Sequence, residues 1–228
     1  MRKLAPGLVA LLVAAGVSVW LYPQLPAEVA THFDFEGQPN GWSSRLVASL
    51  LGPGIGLGLG LLFTVFPRID PRRASYALHG PTYWTIANAA MVLLAVIHVL
   101  TLGKAVGWSV DMNLVASLGV GGMFIVIGNL MTRIRPNWFI GIRTPWTLSS
   151  DTVWRKTHRL GAVTFMIAGV CIVVGGLAAR PLGAVALGGA LVAGLIPVVY
   201  SWVLWRREQP AAGGSEGDEH PVDPVRPG

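Results

Sequence analysis

The sequence predicts an all-α integral membrane protein with six transmembrane helices, both termini on the inner side and a disordered C-terminal tail. Three observations lead there. Charged residues make up only 12% of the 228 residues against 53% hydrophobic ones, with a mean hydropathy of +0.58, whereas soluble domains carry roughly 25% charged residues. Six apolar stretches, at about 4–22, 46–66, 84–103, 113–131, 160–179 and 182–204, have no charge at their centres; each is close to the ~20 residues that cross ~30 Å of hydrocarbon. The basic residues, finally, are split unequally between alternate connections.

The first stretch follows Arg2 and Lys3. Its apolar run is longer than the core of a signal peptide, and the only small-residue sites lie past Pro23, so an uncleaved signal anchor is expected. With the N-terminus inside, the inner segments hold Arg2, Lys3, Arg68, Arg72, Arg73, Arg133, Arg135, Arg143, Arg155, Lys156, Arg159, Arg206, Arg207 and Arg226, or 14 of the 17 basic residues. The outer segments hold Arg45, Lys104 and Arg180. Lys/Arg excess marks cytoplasmic loops, so this split sets the orientation. The resulting organisation is an N-terminal two-helix module at 1–66 with an outer loop at 23–45, a third helix with its flanking loops at 67–111, a second module at 112–205 with a cytoplasmic loop at 132–159, and a Gly-, Pro- and acid-rich tail at 206–228. That tail has too little apolar content to fold.

The pI of about 10.1 does not indicate nucleic acid, because the basic residues sit at span ends and form no single stripe. Cys171, the one cysteine, lies inside an apolar run and is expected to be a small core residue.

Within the spans, Gly52, Gly56 and Gly60 fall four apart on one helical face, where small residues admit another helix closely. Intramolecular packing, a homodimer face and a hinge are all open readings. Pro197 is expected to kink the sixth span. Asn88, His98 and Asn129 are costly in hydrocarbon, so each is expected to face the bundle or a cavity. No Asp or Glu lies within a span, which weighs against a proton- or sodium-coupled transporter.

The outer loop ends the first span at Pro23 and Pro26 and carries turn chemistry from Gly37 through Pro39 to Gly41. His32, Asp34 and Glu36 would share one face of an extended strand, but without a further His or Cys they make a poor metal site. A structured, slightly acidic cap that meets an external ligand is the expected role. The elements Pro26, His32-Phe33 and Gly37-Gln38-Pro39-Asn40-Gly41-Trp42 resemble a bacterial domain family of unknown function.

The inner loop is the densest polar and aromatic segment of the chain. Pro145 biases Thr144 to an extended form, and Ser149 and Ser150 are good N-caps for a helix starting near Asp151. Trp154 and His158 are then one turn apart, as are Arg155 and Arg159. A short interfacial helix is expected to feed the fifth span, with tryptophans at headgroup depth. A positive-inside loop does not account for the whole order of residues, Asn-x-Phe-Ile-Gly-Ile-Arg-Thr-Pro-Trp-Thr-Leu and then Trp-x-x-Thr-His-Arg. This string, at Asn137, Phe139 to Leu148 (with Gly141, Arg143, Thr144, Pro145 and Trp146), Trp154 and Thr157 to Arg159, closely resembles the signature of the SdpI family of bacterial membrane immunity proteins. The resemblance is dense over 129–161 and, with the outer-loop module, extends over most of 1–205.

The resemblance implies a non-enzymatic immunity and signalling protein of the bacterial cytoplasmic membrane. Its partners would be a secreted peptide toxin outside and a small helix-turn-helix repressor held at the membrane inside, with no cofactor or metal and no direct nucleic-acid contact. Homo-oligomers fit the glycine face. The alternative is a small-molecule or lipid transporter or channel. A membrane enzyme using His158 with Asp151, or His32 with Glu36, lacks any motif of metalloprotease, serine hydrolase or phosphate-loop type.

Overall fold

The computed structural model describes residues 2–34, 37–178 and 182–209. Helix α1 (Ala5–Leu21) is followed by a hairpin of strands β1 (Glu28–Phe33) and β2 (Pro39–Ser44), then α2 (Arg45–Ile69), α3 (Ser75–Ala105), α4 (Met112–Met131), the short α5 (Pro145–Ser149), α6 (Asp151–Leu177) and α7 (Leu182–Glu208). Among the described residues, six of these helices are long and apolar enough to cross a membrane. Only 22–33% of each span is buried, and Leu12, Leu50, Leu61, Ile167 and Leu195 lie on exposed faces. An apolar exterior of this kind suits lipid, since lipid tails solvate Leu as well as a core does.

Helices α1, α2 and α3 pack on one another, α4, α6 and α7 form a second group, and α3 meets α4. Close helix approach, rather than hydrophobic collapse, holds each group. Gly52, Gly56 and Gly60 face inward on α2: a methyl group on them would collide with His98, with Leu11, and with Met91 at 3.1 Å. On α4 and α6, an added Cβ on Gly121 would lie 2.8 Å from the Gly169 carbonyl, and one on Gly128 2.9 Å from that of Ala162. Polar groups within the spans pair across helices. Ser18 on α1 donates to the Ala14 carbonyl at 3.0 Å, which leaves the His98 Nε2–H to donate to its oxygen at 2.7 Å. Asn88 accepts from the Gly7 N–H at 2.8 Å and donates to the Lys3 carbonyl at 2.8 Å, satisfying backbone groups at the start of α1.

Several expectations are corrected. The third span begins at Ser75, well before 84; its helix continues through a non-helical residue at His79, two positions before Pro81, whose ring and missing N–H disrupt the preceding turn. The helix expected to start near Asp151 does so, but it is not a separate piece: α6 is continuous with the fifth span from Asp151 to Leu177, because nothing between them breaks the helix, and only the short α5 precedes it. Asn129 is exposed, not turned into the bundle; it sits two residues from the end of α4, within reach of the polar interface. Cys171 is also exposed, since a small apolar residue can face lipid as readily as a core. The helix α7 runs to Glu208, so Arg206 and Arg207 are helical; residues 210–228 of the expected tail, together with Glu36 and Arg180, lie outside the described residues.

The hairpin is an addition to the all-helical reading. Val29, Thr31 and Phe33 alternate along β1 as a half-buried strand does, and Glu28 pairs with Ser44, Ala30 with Trp42 and His32 with Gly41. The turn closes when Asp34 accepts from Gly37 and Gln38 and Gly37 adopts φ +76°. Leu21, Leu25 and Val29 pack with Ala48 and Leu102, so the hairpin is seated on α2 and α3. Gly37 lies against Asn113 at the start of α4. The opposite end of the bundle carries Lys3, the α2–α3 corner and the 132–150 loop.

Candidate functional site

The 132–150 segment folds into a compact knot around a few buried polar side chains. Asn137, with 0% exposure, is the first. Its Oδ1 accepts from the N–H groups of Phe139 (2.9 Å) and Ile140 (2.8 Å), and its Nδ2 donates to the carbonyls of Arg135 (2.9 Å) and Ile140 (3.0 Å). Both amide lone-pair directions and both amide protons are used, so the side chain substitutes for the missing secondary structure.

His158 is the second. The Ile142 N–H can only donate, and it donates to His158 Nε2 at 3.1 Å. The proton therefore sits on Nδ1, which donates to the Trp154 carbonyl at 2.9 Å. The imidazole is neutral, with both nitrogens committed. Its ring stacks on Trp154 at 4.0 Å, and Trp154 Nε1 donates to the Ile134 carbonyl at 3.0 Å. Trp154 is 1% exposed, so its ring faces the protein and not lipid, because this contact draws it under the loop. Gly141 passes over the ring with φ +103°, where a Cβ would sit 2.5 Å from Nε2.

The third group joins the loop to α7. Thr144 and Thr147 form a reciprocal cap at the start of α5. The Ser201 hydroxyl donates to the Val198 carbonyl at 2.6 Å, so its oxygen receives the Trp146 indole N–H, and the Thr144 hydroxyl, which donates to Thr147 Oγ1 at 3.2 Å, lies 3.3 Å from it. Ser150 caps α6 and donates to Glu208 at 2.7 Å.

The fourth joins the loop to the other helix group. Asp70, at 2% exposure, accepts from the Arg72 N–H (2.7 Å), the Tyr76 hydroxyl (2.8 Å) and the Trp138 N–H (2.9 Å). Phe139 stacks on Phe66 of α2 at 4.2 Å. Arg72 donates to the Leu148 carbonyl at 2.8 Å and pairs with Asp151 at 3.1 Å.

Of the residues singled out in sequence, Asn137, Phe139, Gly141, Thr144, Trp146, Trp154 and His158 thus meet in one network. Pro145 occupies the first position of α5. Arg143 is exposed and donates to the Trp138 carbonyl at 2.8 Å; Arg159 is exposed on α6. The hairpin residues lie at the far end: His32 hydrogen-bonds Asn40, a methyl group on Gly41 would meet His32, and Phe33 pairs with Pro39 across the strands while Trp42 is exposed. Sequence reasoning missed Asp70 and Ser201, and it read Arg72 only as an inner basic residue and Thr147 only as part of the signature. The available signals were a lone acid beside a proline in a basic corner, and a serine in an apolar span.

Six apolar helices with a built, polar loop at one end define a multipass membrane protein. Residues 133–201 match the SdpI/YfhL protein family, and residues 9–57 match a domain of unknown function, DUF1648. The chain is 30% identical over 157 residues to Immunity protein SdpI of Bacillus subtilis (strain 168), spanning 69% of this chain and 73% of that one. The chain belongs to the SdpI family. No solved structure matches it.

Proposed function

We propose that this chain is a non-enzymatic immunity protein of the bacterial cytoplasmic membrane that protects its cell against a secreted peptide toxin. The observation that carries the reading is the relationship to Immunity protein SdpI across most of both chains. In this reading both termini are cytoplasmic, in keeping with the Lys/Arg bias. The hairpin then faces outward, where Trp42 and the open strand edges meet the toxin. The 132–150 loop faces the cytoplasm and holds a small helix-turn-helix repressor. Support for a partner role comes from its construction. Asn137, His158 and Ser201 fix the backbone from within, so Trp138, Arg143, Lys156 and Arg159 are presented on its exposed side without an ordering cost on binding. Asp70 and Phe66 tie the loop to the helices that carry the hairpin, which offers a physical route between the two ends.

Expression in a toxin-sensitive bacterium tests protection; survival no better than with an empty vector rejects the immunity role. Arg143→Lys keeps charge but loses the planar fork. If both Arg143→Lys and Arg143→Ala protect fully and still retain the repressor, Arg143 is only a topology charge. In a Cys171→Ser background, Asn40→Cys should react with an impermeant maleimide on intact cells, and Ser149→Cys only after permeabilisation.

A further inference from the structure

A cavity of about 550 Å³ opens beside the loop, between the α2–α3 corner and the first turns of α6. Its volume is that of a small-molecule site. Arg72, Arg135, Arg155 and Arg159 line it, contributed by three separate segments of chain. Arg155 and Arg159 are one helical turn apart and share a face. The one carboxylate in the lining, Asp151, is already paired with Arg72, and among the described residues that is the only ion pair. Four arginines therefore line one space with a single counter-charge, Arg155 also donating to the Thr152 hydroxyl at 3.1 Å, an arrangement that attracts an anion. The wall is apolar where Trp154, Ile134 and Leu78 contribute, and Leu78 is 73% exposed on α3. The cavity lies at the end of the apolar spans, so a ligand with a charged head and a hydrocarbon body fits both surfaces.

We infer that this cavity binds the phosphate of an anionic phospholipid, with the guanidinium groups of Arg135, Arg155 and Arg159 holding the phosphate oxygens and the acyl chains leaving past Leu78. Planar guanidinium forks suit phosphate oxygens. Because Trp154 and His158 form part of the lining and also hold the loop, the bound lipid buttresses the loop. The inference does not rest on the immunity role.

The test uses the purified full-length protein in a neutral maltoside detergent, with thermal unfolding and native mass spectrometry as readouts. Phosphatidylglycerol is expected to raise the unfolding temperature and to add one tightly held lipid per chain, while phosphatidylcholine does neither. Arg155→Gln/Arg159→Gln should weaken phosphatidylglycerol binding about tenfold or more. Arg206→Gln/Arg207→Gln, which removes equal charge elsewhere, should not. Equal weakening by both pairs would reduce the effect to net charge and overturn the site. Protection by inorganic phosphate alone, without phosphatidylglycerol, would overturn the lipid in favour of a soluble anion. Should the first pair fail to fold, Arg135→Gln, on the exposed loop, carries the same expectation, and undiminished binding in that variant overturns it.

Discussion

The Ile142 N–H donates to Nε2 of His158 across sixteen residues, and this contact fixes both the tautomer of the ring and the path of the loop. Removing the ring by His158→Ala leaves a buried N–H without an acceptor and strips the stacking surface from Trp154. The expected loss is about 1–3 kcal/mol from the hydrogen bond alone. It is read as a lower unfolding temperature in detergent. No change would mean the loop holds its shape without the imidazole.

Gly141 is coupled to the same ring. Gly141→Ala meets two obstacles, a φ of +103° and a Cβ directed at His158 Nε2, and should destabilise by more than about 1 kcal/mol. In a His158→Ala background the steric part disappears while the backbone part remains. A double-mutant cycle should therefore show the two changes costing less together than their sum; strict additivity would contradict the close approach.

Asp70→Asn keeps the size of the side chain but replaces one acceptor oxygen with a donor facing the Arg72 N–H or the Tyr76 hydroxyl and Trp138 N–H. The expected cost is about 1–3 kcal/mol, with faster hydrogen exchange at the Trp138 amide. Tyr76→Phe removes only one of the three donors and should cost about 1 kcal/mol. Equal exchange at Trp138 in wild type and Asp70→Asn would remove Asp70 as the link between corner and loop.

The glycines of α2 divide by face. Gly52→Ala drives a methyl into His98 and should destabilise by about 1–3 kcal/mol through overpacking. Gly54→Ala meets nothing within 4 Å and should be neutral or stabilising by up to about 1 kcal/mol through helix propensity. Thermal unfolding of the two variants side by side decides it; equal effects would mean that Gly52 does not pack against α3.

Much of the fold was legible because crossing hydrocarbon demands long apolar helices, and such runs are visible without tertiary knowledge. The Gly52, Gly56 and Gly60 stripe likewise announced a close approach, although its partners, α1 and α3, could not be read from spacing. The loop was harder. The order of residues from Asn137 to Arg159 marked it as special, yet Trp154 was expected at the interface because tryptophan often sits there. Its burial depends on the Ile134 carbonyl twenty residues away, a contact with no local signal. Asp70 and Ser201 escaped notice for the same reason: their importance comes from donors on other elements, and a lone acid or serine carries no period to detect.

The loop's contacts also carry an order in time. Thr144 and Trp146 leave the ribosome before Ser201, their common partner, has been made. Until α7 inserts, the indole N–H must find another partner, while the Thr144 hydroxyl has only Thr147, and the knot is incomplete. The last helix is thus a latch that closes a structure begun fifty-odd residues earlier. A chain whose synthesis stops short of it lacks the Ser201 oxygen on which the Trp146 indole rests.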